Sequence, residues 1–220
     1  MSYPEVRTYI RDQFVNLIKT KYPQVELIAG VATGAIAQGA LVAQELGLPF
    51  VYVRSAAKNH GLENLIEGEY KEGQKVVVVE DLISTGGSSL QAVEALRNAG
   101  CDVLGMVAIF TYGFQKAIDN FTNAHCVLDT LSDYNAMIDL AQKTGYVQES
   151  DVAKLKDWLE PGYGRLLSDV VFNVYNTRAG DINAPFMTAE RPLYIRNVYD
   201  LFPAQHQIDG RFERLLSMLS

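Results

Sequence analysis

The amino-acid sequence predicts an α/β protein with a central, mainly parallel β-sheet flanked by helices. Short apolar runs such as LIAGVAT (27–33) and KVVVVE (75–80) alternate along the chain with segments of helical periodicity. Each run is apolar throughout rather than at every second position, which is typical of strands covered on both faces. Ligands of such sheets bind beyond the carboxyl ends of the strands. We therefore expect the chemistry to lie just after residues 33, 53, 80 and 111.

The elements follow from local signals. An S-x-x-E capping pattern at Ser2 and Glu5, with Pro4 in the first turn, predicts an N-terminal helix. Ser88 or Ser89 is expected to cap a helix that Gly100 ends. Two short helices are expected after Ser132 and Ser150. The other predicted elements are strands over 27–33, 49–54, 75–80, 102–112 and 124–130, and helices over 35–46 and 88–100.

The strand–helix rhythm is lost after Pro161. We therefore predict one domain over residues 1–160 and a C-terminal segment of unknown role over residues 161–220.

Composition narrows the class of protein. The chain has 220 residues, 48% of them hydrophobic, and a net charge of −7. That charge argues against a nucleic-acid surface, which needs clustered Lys and Arg. No signal peptide or membrane-spanning run is present in the sequence, so we expect a cytoplasmic protein. Cys101 and Cys126 lie in apolar surroundings and are interpreted as small buried hydrophobic residues rather than a disulfide or metal site.

The run VVVVEDLISTGGSS (76–89) is typical of a phosphate site. Backbone N–H groups of a Ser/Thr/Gly loop and of the helix that follows can point at an anion. Glycine also lets the backbone approach closely. Two adjacent acids, Glu80 and Asp81, would repel a phosphate, so they need another partner. Ribose hydroxyls or a divalent cation would serve.

The ordered series Glu-Asp-Leu-Ile-Ser-Thr-Gly-Gly-Ser after four valines is similar to the phosphoribosyl pyrophosphate (PRPP) signature of type I phosphoribosyltransferases. The resemblance implies a 5′-phosphate on the loop and ribose hydroxyls on Glu80 and Asp81. The PRPP-binding residues that it implies, together with those of the loop described next, are Arg54, Lys58, His60, Glu80, Asp81, Leu82, Ile83, Ser84, Thr85, Gly86, Gly87 and Ser88.

A second motif follows the 49–54 strand. The pattern Y-V-R-x-x-x-K-x-H-G-x-x-N-x-I-E-G (52–68) resembles the catalytic loop of orotate phosphoribosyltransferases, and AGVATGAIAQGALVA (29–43) lies where that family binds pyrophosphate. With few apolar residues, the loop is expected to be mobile and to close over the site as a lid. Read without the PRPP signature, it would be a solvated hairpin with incidental charges.

The resemblance implies transfer of the phosphoribosyl group from PRPP to orotate. The catalytic residues that it implies are Lys58, His60 and Asp81, and Ser84 is implied to contact orotate. Mg²⁺ is implied as the cofactor and would be carried by PRPP, with no protein ligand set. The family's lid serves the neighbouring subunit, which implies a homodimer. We expect neither a nucleic-acid nor a membrane partner.

One difference between this sequence and the family leaves alternative functions open. The family usually has a further N-terminal segment that covers the base, and this chain begins after it. Residues 185–197, PFMTAERPLYIRN, faintly resemble that segment, but they can also be an unrelated tail. Tyr112 and Phe114 can line the base pocket or belong to the core, and His125 is expected to be structural. The alternatives are a phosphoribosyltransferase for another base and a PRPP-binding module without turnover.

Overall fold

The computed structural model describes residues 3–54, 65–145 and 147–157. The lid motif is therefore outside the described residues between 55 and 64, and so is the segment from 158 onward. In chain order the elements are α1 (Pro4–Lys21), β1 (Leu27–Val31), α2 (Ile36–Leu46), β2 (Phe50–Val53), β3 (Ile66–Glu67), β4 (Lys75–Ile83), α3 (Gly87–Asn98), β5 (Asp102–Thr111), α4 (Gln115–Asn123), β6 (Leu128–Asp133), α5 (Tyr134–Lys143) and α6 (Glu149–Asp157).

The strands form a six-stranded sheet in the order β3-β2-β1-β4-β5-β6. All neighbouring pairs are parallel except β2 and the two-residue strand β3, which are antiparallel. The predicted α/β class with a mainly parallel sheet is confirmed. β1 and β4 are buried at the centre, as continuous apolar runs require.

Apolar side chains cover both faces of the sheet. On one face Val77 and Val79 pack in a cluster with residues of α1, α2 and α5, including Phe14, Val42 and Ile138. On the other face the alternate strand residues Val76 and Val78 pack with α3 and α4. The sheet therefore lies between two helical layers.

Several element boundaries differ from the predictions. The strand expected to end at Glu80 continues to Ile83. The strand expected over 124–130 is wrong at its start, because Ala124 still belongs to the end of α4 and β6 begins at Leu128. Helix α4 was not predicted. Its sequence, QKAIDNFTN, is mostly polar, and only Ala117 and Phe121 are buried.

Four predicted helix caps are also wrong. Ser150, after which the last short helix was expected, lies inside α6. Tyr3, not Ser2, is the N-cap of α1, although Pro4 occupies the first turn as predicted. Gly86 replaces the expected serine caps of α3. Asp133, not Ser132, caps α5 by accepting a hydrogen bond from the Ala136 N–H. A carboxylate at this position also interacts favourably with the helix dipole.

The remaining structural expectations concern the cysteines and a membrane. Cys101 and Cys126 are buried and unpaired, as predicted. None of the helices in the described part of the chain is long and apolar enough to cross a bilayer.

Candidate active site

The strand order changes direction between β1 and β4, and a sheet of this kind leaves a crevice beyond the carboxyl ends of those two strands. The chain runs from β1 outward to β2 and β3 on one side, then crosses to β4, β5 and β6 on the other. The loops that leave the carboxyl ends of β1 and β4 therefore turn in different directions. In open parallel sheets such a switch point is where ligands bind. Residues 32–35 and 84–86 are the two loops that flank it.

The regular alternation of side chains along β4 is interrupted at the two adjacent acids. Strict alternation would place Leu82 on the face covered by α3 and Ile83 on the opposite face, but the two side chains pack the other way round. The acids have different neighbours: Glu80 contacts the first turn of α3, and Asp81 lies against the loop after β1. The two carboxylates therefore do not act as one pair.

Glu80 is almost fully enclosed, with 5% of its surface exposed. Its Oε2 accepts a hydrogen bond from Ser89 Oγ at 2.8 Å, and its Oε1 accepts one from the Asp81 N–H at 2.9 Å. Burial and the neighbouring Asp81 carboxylate raise the pKa of Glu80 well above the ordinary range of a carboxyl group. Glu80 thus connects β4 to the first turn of α3, and its predicted contact with ribose stays a prediction.

Asp81 lies half-buried at the crevice. Its Oδ1 accepts a hydrogen bond from the Leu82 N–H at 2.8 Å. A methyl group placed on Gly34 would overlap the Asp81 carboxylate. The missing side chain at Gly34 is therefore what allows Asp81 to approach the loop after β1. The peptide bond between Ala32 and Thr33 in that loop is cis.

The predicted phosphate loop lies between β4 and α3. Gly86, at φ +76°, is the N-cap of α3, and a Cβ there would meet the Phe121 ring at 2.5 Å. Gly87 and Ser88 are exposed in the first turn of α3, while Ser84 and Thr85 are partly exposed. The loop therefore presents a helix N-terminus to the crevice, the arrangement that suits a phosphate.

Leu82 and Ile83 have a different role from the polar members of the motif. Ile83 is fully buried in the cluster beneath α3 and α4, and Leu82 packs against the cluster on the other face. Their side chains anchor the end of β4. Any contribution of these two residues to PRPP binding would come from the backbone.

Arg54 marks the start of the lid motif at the end of β2. Its N–H donates to the Leu65 carbonyl at 2.8 Å, and its Nη1 lies 3.3 Å from Glu67 Oε1. Pairing of β2 with β3 therefore brings Arg54 close to Leu65, the described residues on either side of the lid motif. Lys58 and His60 lie outside the described residues, so their predicted roles stay predictions.

The aromatic candidates belong to the core. Tyr112 and Phe114 are buried, and their rings stack with centroids 5.3 Å apart and planes inclined by 6°. Tyr112 also contacts Phe110 and Tyr134. Their burial and mutual packing favour the core alternative. The backbone carbonyl of His125 accepts a hydrogen bond from Arg97 Nη2 at 3.0 Å. The structural role expected for the His125 side chain stays a prediction.

Sequence reasoning missed two residues that bear on the site. Gly34 lies in the 29–43 run but was not singled out, because its contact with Asp81 cannot be predicted from a local pattern. Asn120, on the unpredicted helix α4, donates from Nδ2 to the Thr85 carbonyl at 2.8 Å. No element was predicted over residues 115–123, so no signal in the sequence singled out Asn120.

Comparison with known proteins identifies the family. The chain matches the model of the phosphoribosyl transferase domain over residues 4–139. It is 61% identical over 158 residues to the orotate phosphoribosyltransferase of Bacteroides thetaiotaomicron, which covers 72% of this chain and 74% of that protein. This chain belongs to the orotate phosphoribosyltransferase family. The resemblance seen in the sequence is confirmed.

Solved structures agree with an orotate phosphoribosyltransferase. The enzyme of that name from Aeropyrum pernix is 26% identical with a TM-score of 0.56, over 64% of this chain and 76% of that chain. Leishmania donovani UMP synthase shares the fold with a TM-score of 0.62 and 24% identity, over 72% of this chain. The chain spans about a third of the length of that protein, 34%.

Glu80 allows a prediction about the family's acid pair. A raised pKa means that the folded state binds the Glu80 proton more tightly than the unfolded state. The contribution of Glu80 to the free energy of unfolding is therefore fully present at pH values below its pKa in the unfolded chain. That contribution is lost as the pH rises through the pKa of Glu80 in the folded protein. In Glu80→Gln, the amide can accept from the Asp81 N–H and donate to Ser89 Oγ. We expect this variant to unfold at a higher temperature than wild type at neutral pH and to show a flatter pH dependence.

Melting temperatures measured across the acidic to neutral range test this prediction. Glu80→Ala is the control, because it leaves the buried Ser89 hydroxyl unpaired and should cost about 1–3 kcal/mol. If Glu80→Gln were destabilised as much as Glu80→Ala at every pH, the proton on Glu80 would have no part in holding β4 to α3.

Proposed function

We propose that this chain transfers the 5-phosphoribosyl group from PRPP to orotate, giving orotidine 5′-monophosphate and pyrophosphate in the de novo synthesis of UMP. The observation that carries the proposal is the crevice between β1 and β4, where Asp81 and the Ser84–Ser88 phosphate loop lie side by side. Its position at the switch point supports a ligand that spans both loops. The 61% identity to an orotate phosphoribosyltransferase supports orotate as the acceptor.

PRPP has a natural orientation in this crevice. The 5′-phosphate would lie on the N–H groups of the loop and the N-terminus of α3. The ribose would lie over Asp81, and the pyrophosphate would reach the backbone of the loop after β1, against which Asp81 lies at Gly34. Ser84 would contact orotate, which places the base next to the anomeric carbon.

The proposed reaction breaks the bond between the anomeric carbon and the pyrophosphate oxygen. A ring nitrogen of orotate forms the new bond on the opposite face, with inversion, and its electron pair replaces the pair that leaves with pyrophosphate. The N–H bond of that nitrogen is broken, and its proton passes to the departing pyrophosphate or to water. Positive charge develops on the ribose, and the Asp81 carboxylate stabilises it electrostatically. Arg54, Lys58 and His60 would stabilise the negative charge on the leaving pyrophosphate.

Mg²⁺ would enter this site bound to the phosphates of PRPP. Within the described ranges, no group of three or more His, Cys, Asp and Glu side chains is arranged to hold a metal ion. Magnesium commonly keeps several waters and binds through substrate phosphates and one or two carboxylates. Asp81 is the half-buried carboxylate available at the crevice, since Glu80 is engaged by Ser89. When bound, the ion would neutralise charge on the pyrophosphate.

Three further parts of the proposal rest on the family resemblance. They are a homodimer in which the lid serves the neighbouring subunit, a cytoplasmic location, and catalytic roles for Lys58 and His60. The division at residue 160 also stays a prediction, because the segment beyond it is outside the described residues.

Release of pyrophosphate from PRPP tests the choice of base. With Mg²⁺ present, we expect orotate to support turnover, and uracil, adenine and hypoxanthine to support far less. Lys58→Ala should lose roughly 10²–10³-fold in rate, the usual effect of removing one preorganised charge. Turnover with another base but not orotate would favour a different phosphoribosyltransferase. PRPP-induced stabilisation without turnover of any base would indicate a binding module.

A further inference from the structure

We propose that Asn120 on α4 is a positioning residue for the phosphate loop: by holding the Thr85 carbonyl, it aims the loop's N–H groups at the 5′-phosphate of PRPP. The inference deepens the proposed function and rests on it. It concerns a helix that carries none of the family's sequence motifs used above.

The first observation is the direction of two carbonyl groups. Asn120 Nδ2 donates to the Thr85 carbonyl at 2.8 Å. The Gly86 carbonyl accepts from the Leu90 N–H at 2.9 Å as α3 begins. In a trans peptide unit the C=O and N–H point in opposite directions. The Thr85 carbonyl shares its peptide unit with the Gly86 N–H, and the Gly86 carbonyl shares its unit with the Gly87 N–H. Because the two carbonyls point toward Asn120 and Leu90, the two N–H groups point the opposite way, toward the crevice.

The second observation is the packing behind Gly86. The Phe121 ring, 4% exposed, lies so close that a Cβ on Gly86 would meet it at 2.5 Å. Phe121 therefore limits how far the loop can move toward α4, while Asn120 limits how far it can move away. Neighbouring residues of one helix thus define the position of the loop before any ligand arrives.

The energetic consequence is preorganisation. A loop that already holds its donors in place does not have to be ordered when the phosphate binds, so less binding energy is lost. A neutral hydrogen bond contributes about 0.5–1.5 kcal/mol, which corresponds to roughly two- to tenfold in affinity. Removing the Asn120 donor should therefore weaken the binding of phosphorylated ribose by roughly two- to tenfold.

The test compares two ligands that occupy different parts of the crevice. Ribose 5-phosphate reports on the phosphate loop, and Mg²⁺–pyrophosphate reports on the loop after β1. Isothermal titration of wild type, Asn120→Ala and Asn123→Ala gives the dissociation constants. Asn123 is the matched control, because it is an exposed asparagine on the same helix. Alanine has the highest helix propensity, so α4 should remain folded, and melting curves check this.

We expect Asn120→Ala to bind ribose 5-phosphate roughly two- to tenfold more weakly and pyrophosphate as wild type does, while Asn123→Ala matches wild type for both. In turnover, KM for PRPP should rise with little change in kcat. Unchanged binding of ribose 5-phosphate, or equal weakening of both ligands, would overturn the positioning role. If wild type itself failed to bind ribose 5-phosphate, the proposed function would fail at its phosphate site, which is a different result.

Discussion

Asp81→Asn is expected to lower kcat/KM for PRPP by roughly 10²–10³-fold, the usual effect of removing one preorganised charge at a transition state. The substitution keeps the size of the side chain and an oxygen that can accept from the Leu82 N–H, so it removes little besides the negative charge. That charge lies at the crevice, where the ribose becomes positive during transfer. Most of the loss should therefore appear in kcat.

Steady-state kinetics with varied PRPP and saturating orotate measure this effect. Asp102→Asn is the matched control, because Asp102 is an exposed aspartate at the amino end of β5, whereas the crevice lies at the carboxyl ends of the strands. We expect Asp102→Asn to behave as wild type. An Asp81→Asn enzyme with near-normal kcat would show that the developing charge is stabilised elsewhere, with Glu80 as the first alternative.

Gly34→Ala is expected to produce a loss of similar size through a different cause. A Cβ on residue 34 would overlap the Asp81 carboxylate, so that the loop after β1, the carboxylate or both must move. A displacement of about 1 Å at a reacting centre can cost roughly 10² in rate. Because the backbone of Gly34 is not at positive φ, strain in the loop itself is not expected to contribute.

A double-mutant cycle distinguishes this steric mechanism from general damage to the loop. In wild type, Gly34→Ala should reduce kcat/KM strongly. In an Asp81→Ala background the carboxylate is absent, so adding Gly34→Ala should reduce the remaining activity little. Contacting residues commonly show non-additivity of this kind. Additive losses would show that Gly34 acts independently of Asp81.

Much of the fold was predictable because its signals are local. The run Val76–Val79 is apolar at every position, which predicts a strand covered on both faces, and the two hydrophobic clusters confirm it. The phosphate loop was predictable for the same reason, since its Ser, Thr and Gly residues adjoin a strand and a helix. Helix α4 was missed because its buried face consists of only Ala117 and Phe121.

The contacts that give the site its shape were not predictable, because they join distant parts of the chain. Glu80 and Asp81 look like a pair in sequence, and only the folded structure gives Glu80 a partner in α3 and brings Asp81 against the loop after β1. The contact between Gly34 and Asp81 depends on β1 and β4 being neighbours in the sheet. The hydrogen bond from Asn120 to Thr85 depends on how α4 packs.

The most direct test of the central claim is to identify the product that wild-type protein makes from PRPP, Mg²⁺ and orotate. We predict orotidine 5′-monophosphate, detected by mass, in an amount equal to the pyrophosphate released, and none when PRPP or orotate is omitted. Absence of this product, while PRPP still raises the melting temperature of the protein, would contradict the proposed transfer and leave only a PRPP-binding site in the crevice.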